Sequence, residues 1–124
     1  MRMEIEKVLE AMREDYKRWS MMTRTVHQNV DDFNRAIDIR EEMTANYCDG
    51  LKVEENRRYW KIIGSNGGGS QVSVKGFIVK AGDKKFREGD MLKAAGWAAP
   101  ARNFARGNVL DGRGVNEVRW TGIG

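Results

Sequence analysis

The side chains best able to do chemistry in this 124-residue chain are few and scattered. Its one histidine, His27, and one cysteine, Cys48, fall at separate places in the first half. Nucleophilic catalysis needs nucleophile and base held together, and no serine has a histidine near it in the chain. Zinc needs clustered Cys and His, so no metal is expected. The carboxylate pairs Glu41-Glu42 and Glu54-Glu55 are adjacent residues, which point different ways on a helix or strand and make poor acid–base dyads. The stretch Gly64–Ser70 is glycine-rich like a phosphate loop, but neither a lysine after its last glycine nor a helical pattern follows, so a hairpin loop accounts for it better. These absences predict a protein that is not an enzyme, with no cofactor and no small-molecule substrate.

Binding chemistry fares better. Lys84, Lys85, Arg87, Lys93, Arg102, Arg106, Arg113 and Arg119 recur between Phe86, Trp97, Phe104 and Trp120. Cationic grooves with aromatic platforms are how single-stranded nucleic acids are held. The competing account is that the aromatics build a small core while the cations point outward on alternating strands. The expected contact set is Lys84, Lys85, Arg87, Arg102, Arg106, Arg113 and Arg119. Arg102 and Arg106 lead it, because a helical turn over Ala101–Arg106 would put both on one face.

Charge and glycine divide the chain in the same place. All fourteen glycines lie at or after Gly50. Residues 1–56 carry nine Lys/Arg and thirteen Asp/Glu, whereas residues 57–124 carry thirteen and five. The local excesses of −4 and +8 give the net +4, and a basic unit this small favours an anionic partner. A helical, acidic segment over 1–49 and a basic, glycine-rich β domain over 50–124 are therefore expected. With one cysteine there is no internal disulfide framework, and neither a signal-peptide core nor a membrane span is expected.

In the first segment Ile5, Leu9, Met12, Tyr16, Trp19, Val26, Val30, Phe33 and Ile37 recur at alternating spacings of four and three, with Thr23 in the one gap. That heptad predicts one long helix from about residue 3 to residue 45. A hairpin capped at Asp31 or Asp32 is the alternative, since Thr23, Thr25, Asn29, Asp31 and Asp32 are weak helix formers. The stripe must be covered. A second copy of the chain is the expected cover, in a coiled coil or other homo-oligomer, with packing on the β domain as the alternative.

Beyond Asp49-Gly50, strands are predicted at Leu51–Glu54, Arg58–Ile63, Gln71–Lys80, Met91–Ala95, Asn108–Leu110 and Glu117–Thr121. Arg58–Ile63 and Gln71–Lys80 should pair as an antiparallel hairpin across the glycine loop. The fold class is thus α+β: a long N-terminal helix, then a small, strongly bent antiparallel sheet or partly open barrel.

One pattern is more specific. Gly89-Asp-Met-Leu-Lys-Ala-Ala95, Trp97, Ala99-Pro100, Asn103-Phe-Ala-Arg-Gly-Asn108 and Arg119-Trp-Thr-Gly122 resemble a family of small uncharacterised proteins of tailed bacteriophages. The resemblance covers about residues 50–124, with the acidic helix outside it as a member-specific extension. It implies action in the cytoplasm of an infected bacterium, or in a virion, and assigns no functional residues. Two partners fit these expectations: nucleic acid on the basic domain, or a host or defence protein on the helix.

Overall fold

The computed structural model describes residues 1–22, 30–65 and 72–124, without the side chains of residues 22, 30–34 and 36–38. Helix α1 spans Arg2–Met22 and helix α2 spans Val30–Gly50. Their relation corrects the expectation of one continuous helix. The rings of Tyr16 and Tyr47 lie stacked, with centroids 4.4 Å apart and planes 5° off parallel. In a straight helix those positions would stand about 46 Å apart at 1.5 Å per residue. The helical half is a hairpin, and Val26 and His27 lie outside the described residues.

The stripe on α1 is real, but it faces inward. Ile5, Val8, Leu9, Met12 and Tyr16 are all buried, in one apolar cluster with Tyr47, Leu51, Ile62, Ile78, Met91, Val109, Val118 and Ile123. The seam expected between copies is therefore occupied within the chain for Ile5, Leu9, Met12 and Tyr16. Among the described side chains of that set, Trp19 alone is exposed, at 45%, leaning on Tyr16 and Trp120. The side chains of Val30, Phe33 and Ile37 lie outside the described residues.

The sheet is an antiparallel meander, in the order β1 (Lys52–Glu55), β2 (Tyr59–Ser65), β3 (Val72–Val79), β4 (Asp90–Leu92) and β5 (Gly107–Asn108). It stays open rather than closing into a barrel. The β2–β3 hairpin forms as its alternation predicts, with Tyr59 opposite Val79 and Ser65 opposite Val72. A bulge breaks the register, because Ile62 pairs with Gly76 and Ile63 with Val74. The extra residue, Lys75, is buried, and its ammonium lies 5.6 Å from the Tyr47 ring and 5.9 Å from the Trp120 ring. Burial pulls its pKa below the usual lysine range.

Each face of the sheet is covered. Ile62, Ile78 and Met91 meet the helices. Tyr59, Phe77, Val79 and Leu92 form a second cluster, closed by Phe86 with Val74, Ala94 and Ala105 around it. The lid over this second face is the segment expected to be a helical turn at Ala101–Arg106, and it is not helical. Ala101 N–H donates to the Lys93 carbonyl at 2.7 Å and Arg106 N–H to Met91 at 2.7 Å, so these donors cross to the chain leaving β4.

The closing strand predicted at Glu117–Thr121 is also absent. A 3₁₀ turn, η1, occupies Val115–Glu117, and Arg119 and Gly122 bond each other's backbones in a tight turn. The next residue is tied down, with Ile123 N–H donating to the Lys75 carbonyl at 2.7 Å. A side chain at Gly122 (φ +138) would meet that carbonyl at 2.5 Å. The turn at Glu88-Gly-Asp90 is stapled to β5 by Asn108, which is fully buried. Its amide donates to Glu88 O (3.0 Å) and Asp90 Oδ1 (2.8 Å), and its Oδ1 accepts from Leu110 N–H (2.8 Å). All its polar capacity is used locally, so this pair is architectural. Gly107 precedes it at φ +154, where a Cβ would sit 2.1 Å from the Arg113 carbonyl.

Candidate anion-binding cleft

Pairing Tyr59 with Val79 brings two turns together: Asn56–Arg58, between β1 and β2, and the segment leaving β3 at Lys80. Lys80 N–H donates to the Arg58 carbonyl at 3.0 Å, which fixes the junction. Between the turns lies a cleft of about 600 Å³, lined by Arg57, Arg58, Lys80, Ala81, Gly82, Asp83, Lys84 and Arg102. Five of these eight residues are cationic and one is acidic.

The acid organises the site. The Asp83 side chain is 4% exposed. Its Oδ1 accepts from the N–H groups of Lys85 and Phe86, both at 2.9 Å, which folds the loop around it. The Arg102 guanidinium meets it in a fork, Nη2 to Oδ1 at 2.9 Å and Nη1 to Oδ2 at 3.0 Å, and Nη1 also reaches the Tyr59 hydroxyl at 2.6 Å. The Arg102 pairing and the two backbone donors hold the Asp83 carboxyl well below the usual carboxylate range, and Asp83 in turn raises Arg102. Arg58 stands 3.5 Å from Oδ2. Lys80 pairs with Glu55 at 2.7 Å. Arg102 and Lys80, and more loosely the exposed Arg58, thus have carboxylate partners, while Arg57 and Lys84 turn exposed charge toward the cleft.

The predicted contact residues separate. Lys84 lines the cleft. Lys85 donates its ammonium to the Arg102 and Asn103 carbonyls. Arg102 serves Asp83 and so acts as a strut. Arg106 lies over the Phe104 ring at 3.7 Å and bonds Asn103 Oδ1 at 3.2 Å, so the shared helical face with Arg102 does not form. Arg87 pairs with Asp111 at 2.6 Å, in the turn that also holds exposed Arg113. Arg119 lies against α1, 3.7 Å from Asp15. Arg57, Arg58 and Lys80 were missed by sequence reasoning. A symmetric β2–β3 hairpin already makes 58 and 80 neighbours, and that was the usable signal.

The aromatics divide as well. Phe86 is buried, and Trp120 closes over Tyr16 and Tyr47. Trp97 and Phe104 are each 55% exposed. The Lys61 ammonium, on a residue only 4% exposed, sits 4.0 Å from the Trp97 ring centroid.

Among the described residues, no three His, Cys, Asp or Glu gather as a metal site, and no helix is long and apolar enough to cross a membrane. Cys48 is half-buried, which pushes its thiol pKa up.

Fold and site together define a small α+β protein: a helical hairpin on an open five-stranded meander, with a cationic cleft at one end of the sheet. The chain belongs to a family of unknown function, DUF7717, whose model matches residues 2–123. That match takes in the helical hairpin, which corrects the expectation that the helical half is an extension of one member. No curated protein and no solved structure matches the chain.

Proposed function

We propose that this is a non-catalytic binding protein whose β half holds nucleic acid by its phosphates in the cleft between the Asn56–Arg58 turn and the Lys80–Lys84 segment. The observation that carries this reading is the state of Asp83. Its charge is already matched by Arg102, so Arg57 and Lys84, with the 62% exposed Arg58 that only skirts Asp83 at 3.5 Å, offer theirs to a partner. The likeness to tailed-bacteriophage proteins supports action inside an infected bacterium.

Phosphate contacts release counterions, so affinity must fall steeply with salt. Three or four neutralised phosphates predict a loss of roughly 20- to 150-fold between 50 and 200 mM salt. Fluorescence anisotropy with labelled DNA and RNA, on the wild type and on Arg57→Glu/Lys84→Glu, tests it. The double reversal should abolish binding at every salt concentration. No binding by the wild type at 20 mM salt, or binding that survives the reversal, sinks the proposal.

A protein-directed role is favoured by a different observation. A groove of about 710 Å³ runs between α1 and α2, bounded by Met21, Arg40, Thr44, Ala45 and Cys48, and Met21 is 81% exposed. Capture of one host protein from nuclease-treated lysate, lost on Met21→Asp, would favour that reading over the cleft.

A further inference from the structure

Resting on that reading of the cleft, we infer that its ligand is a single strand, whose bases stack on Trp97 and Phe104 while its phosphates sit among Arg57, Arg58 and Lys84. Among the described residues, Tyr16, Tyr47, Tyr59, Phe77 and Phe86 are each no more than 8% exposed, Trp60 and Trp120 are half-buried, and Trp19, 45% exposed, lies in the acidic helical half against Tyr16 and Trp120. Trp97 and Phe104 stand out at 55%, in the basic half and on the same stretch of chain.

Both rings are braced. The Lys61 ammonium holds one face of Trp97 at 4.0 Å, and the Arg106 guanidinium holds one face of Phe104 at 3.7 Å. Lys61 is itself buried, so the indole rests on a fixed cation. A ring supported on one side and still half exposed offers its other face to a flat partner, and every base has one.

The rings also lie on a path to the cleft. Tyr59 and Lys61 alternate onto the same face of β2, about 7 Å apart at two residues of rise. Trp97 covers Lys61, Arg102 bonds Tyr59 and Asp83, and Phe104 is two residues past Arg102. Along β2 this puts Trp97 over Lys61 and Arg102 over Tyr59 at the cleft, with Phe104 two residues further along the chain. A duplex keeps its base faces stacked at 3.4 Å per step and has none to offer these platforms. An unstacked strand does.

The test compares a labelled 20-nucleotide strand with its duplex by anisotropy at 50 mM salt. It uses the wild type, Trp97→Ala, Phe104→Ala, the double variant and Arg57→Glu/Lys84→Glu, each checked for a wild-type melting curve. Each alanine should weaken single-strand binding roughly 5- to 150-fold, as loss of one base–aromatic stack does, and leave duplex binding within about twofold. Trp97→Phe keeps a platform, so it should retain most single-strand affinity while losing part of the tryptophan quenching that the strand causes. Equal losses on strand and duplex, or no loss from the double variant while the charge reversal abolishes binding, overturn the stacking inference and leave the cleft standing. No binding of either nucleic acid by the wild type overturns the cleft reading itself. Should Trp97→Ala unfold, Phe104→Ala and the Trp97→Phe quenching difference decide.

Discussion

Replacing Asp83 by asparagine isolates the strut that shapes the cleft. Asparagine has nearly the same size, and its carbonyl can still accept from Lys85 and Phe86 N–H. Its amide then points a donor at Arg102 Nη1, where a charge-assisted bond of 3.0 Å had been, and the 2.9 Å bond from Nη2 is left with a neutral acceptor. Hydrogen bonds to charged groups contribute about 1.5–3 kcal/mol, and breaking a fully buried ion pair costs about 3–5 kcal/mol. Arg102 is 33% exposed, so water repairs part of the loss, and about 2–3 kcal/mol is the expected cost. A 124-residue chain unfolds with an entropy of about 260 cal/mol/K, so Tm should drop by about 8–12 °C at pH 7. The pH dependence adds a sign. Because the folded state depresses the Asp83 pKa, the stability it confers is present above its unfolded value of about 3.9 and is lost as pH falls through the lower folded value. The Tm gap between wild type and variant should therefore be constant above about pH 5 and narrow progressively below it. Circular-dichroism melts from pH 7 to pH 2.5 measure both effects. A drop of less than about 3 °C, or a gap as wide at pH 3 as at pH 7, would refute the role assigned to this carboxylate.

Three further changes probe the rest of the frame. Gly107→Ala forces a Cβ to within 2.1 Å of the Arg113 carbonyl at φ +154, so it should cost more than about 3 kcal/mol and show as an early urea midpoint. Tyr47→Phe removes only the hydroxyl that donates to the Trp120 carbonyl at 2.7 Å, and should cost about 1 kcal/mol, or about 4 °C. Lys75→Met removes an ammonium whose pKa burial has lowered, so the Tm difference between wild type and variant should move in the wild type's favour from pH 7 toward pH 10, because the folded lysine gives up its proton before the unfolded one; a difference that moves the other way refutes it.

The parts of this fold that could be read from the sequence are those set by local periodicity. The alternation in Arg58–Ile63 and Gln71–Lys80 located β2 and β3, and the helical spacing of Ile5, Leu9, Met12 and Tyr16 located the buried face of α1. What periodicity leaves open is the identity of the cover. A stripe must be buried, yet nothing in its spacing distinguishes a second copy from the chain's own sheet. The sequence between α1 and α2 contains neither glycine nor proline, and the heptad spacing continues through it, so nothing in it signals that two helices rather than one are formed. Arg119 and Trp120 alternate like a strand, but the Trp120 N–H is claimed by the Asp15 carboxylate at 2.8 Å, a partner far away in sequence. Arg102 was singled out for a helical face that does not exist, and its importance comes from Asp83 instead. Of the cleft cations, Arg58 and Lys80 follow from the predicted hairpin register, whereas the approach of Arg57, Lys84 and Arg102 depends on loop folding that spacing does not encode.

The clasp between α1 and residues 118–123 also governs the order in which the molecule can be made. Asp15 and Trp120 are 105 positions apart, whereas the meander joins neighbours only. During synthesis α1 emerges with its apolar face bare; α2 and the sheet can cover part of it, but the rest waits for almost the whole chain before Val118, Trp120 and Ile123 arrive. Closing so large a loop is costly until the sheet has shortened the path, so the clasp should form late. Asp15→Ala, which removes the acceptor of the Trp120 N–H, should accordingly speed unfolding in stopped-flow experiments and leave the folding rate nearly unchanged. In the interval the nascent chain presents the surface a chaperone would recognise, which makes its yield more sensitive to growth temperature than its final stability would suggest.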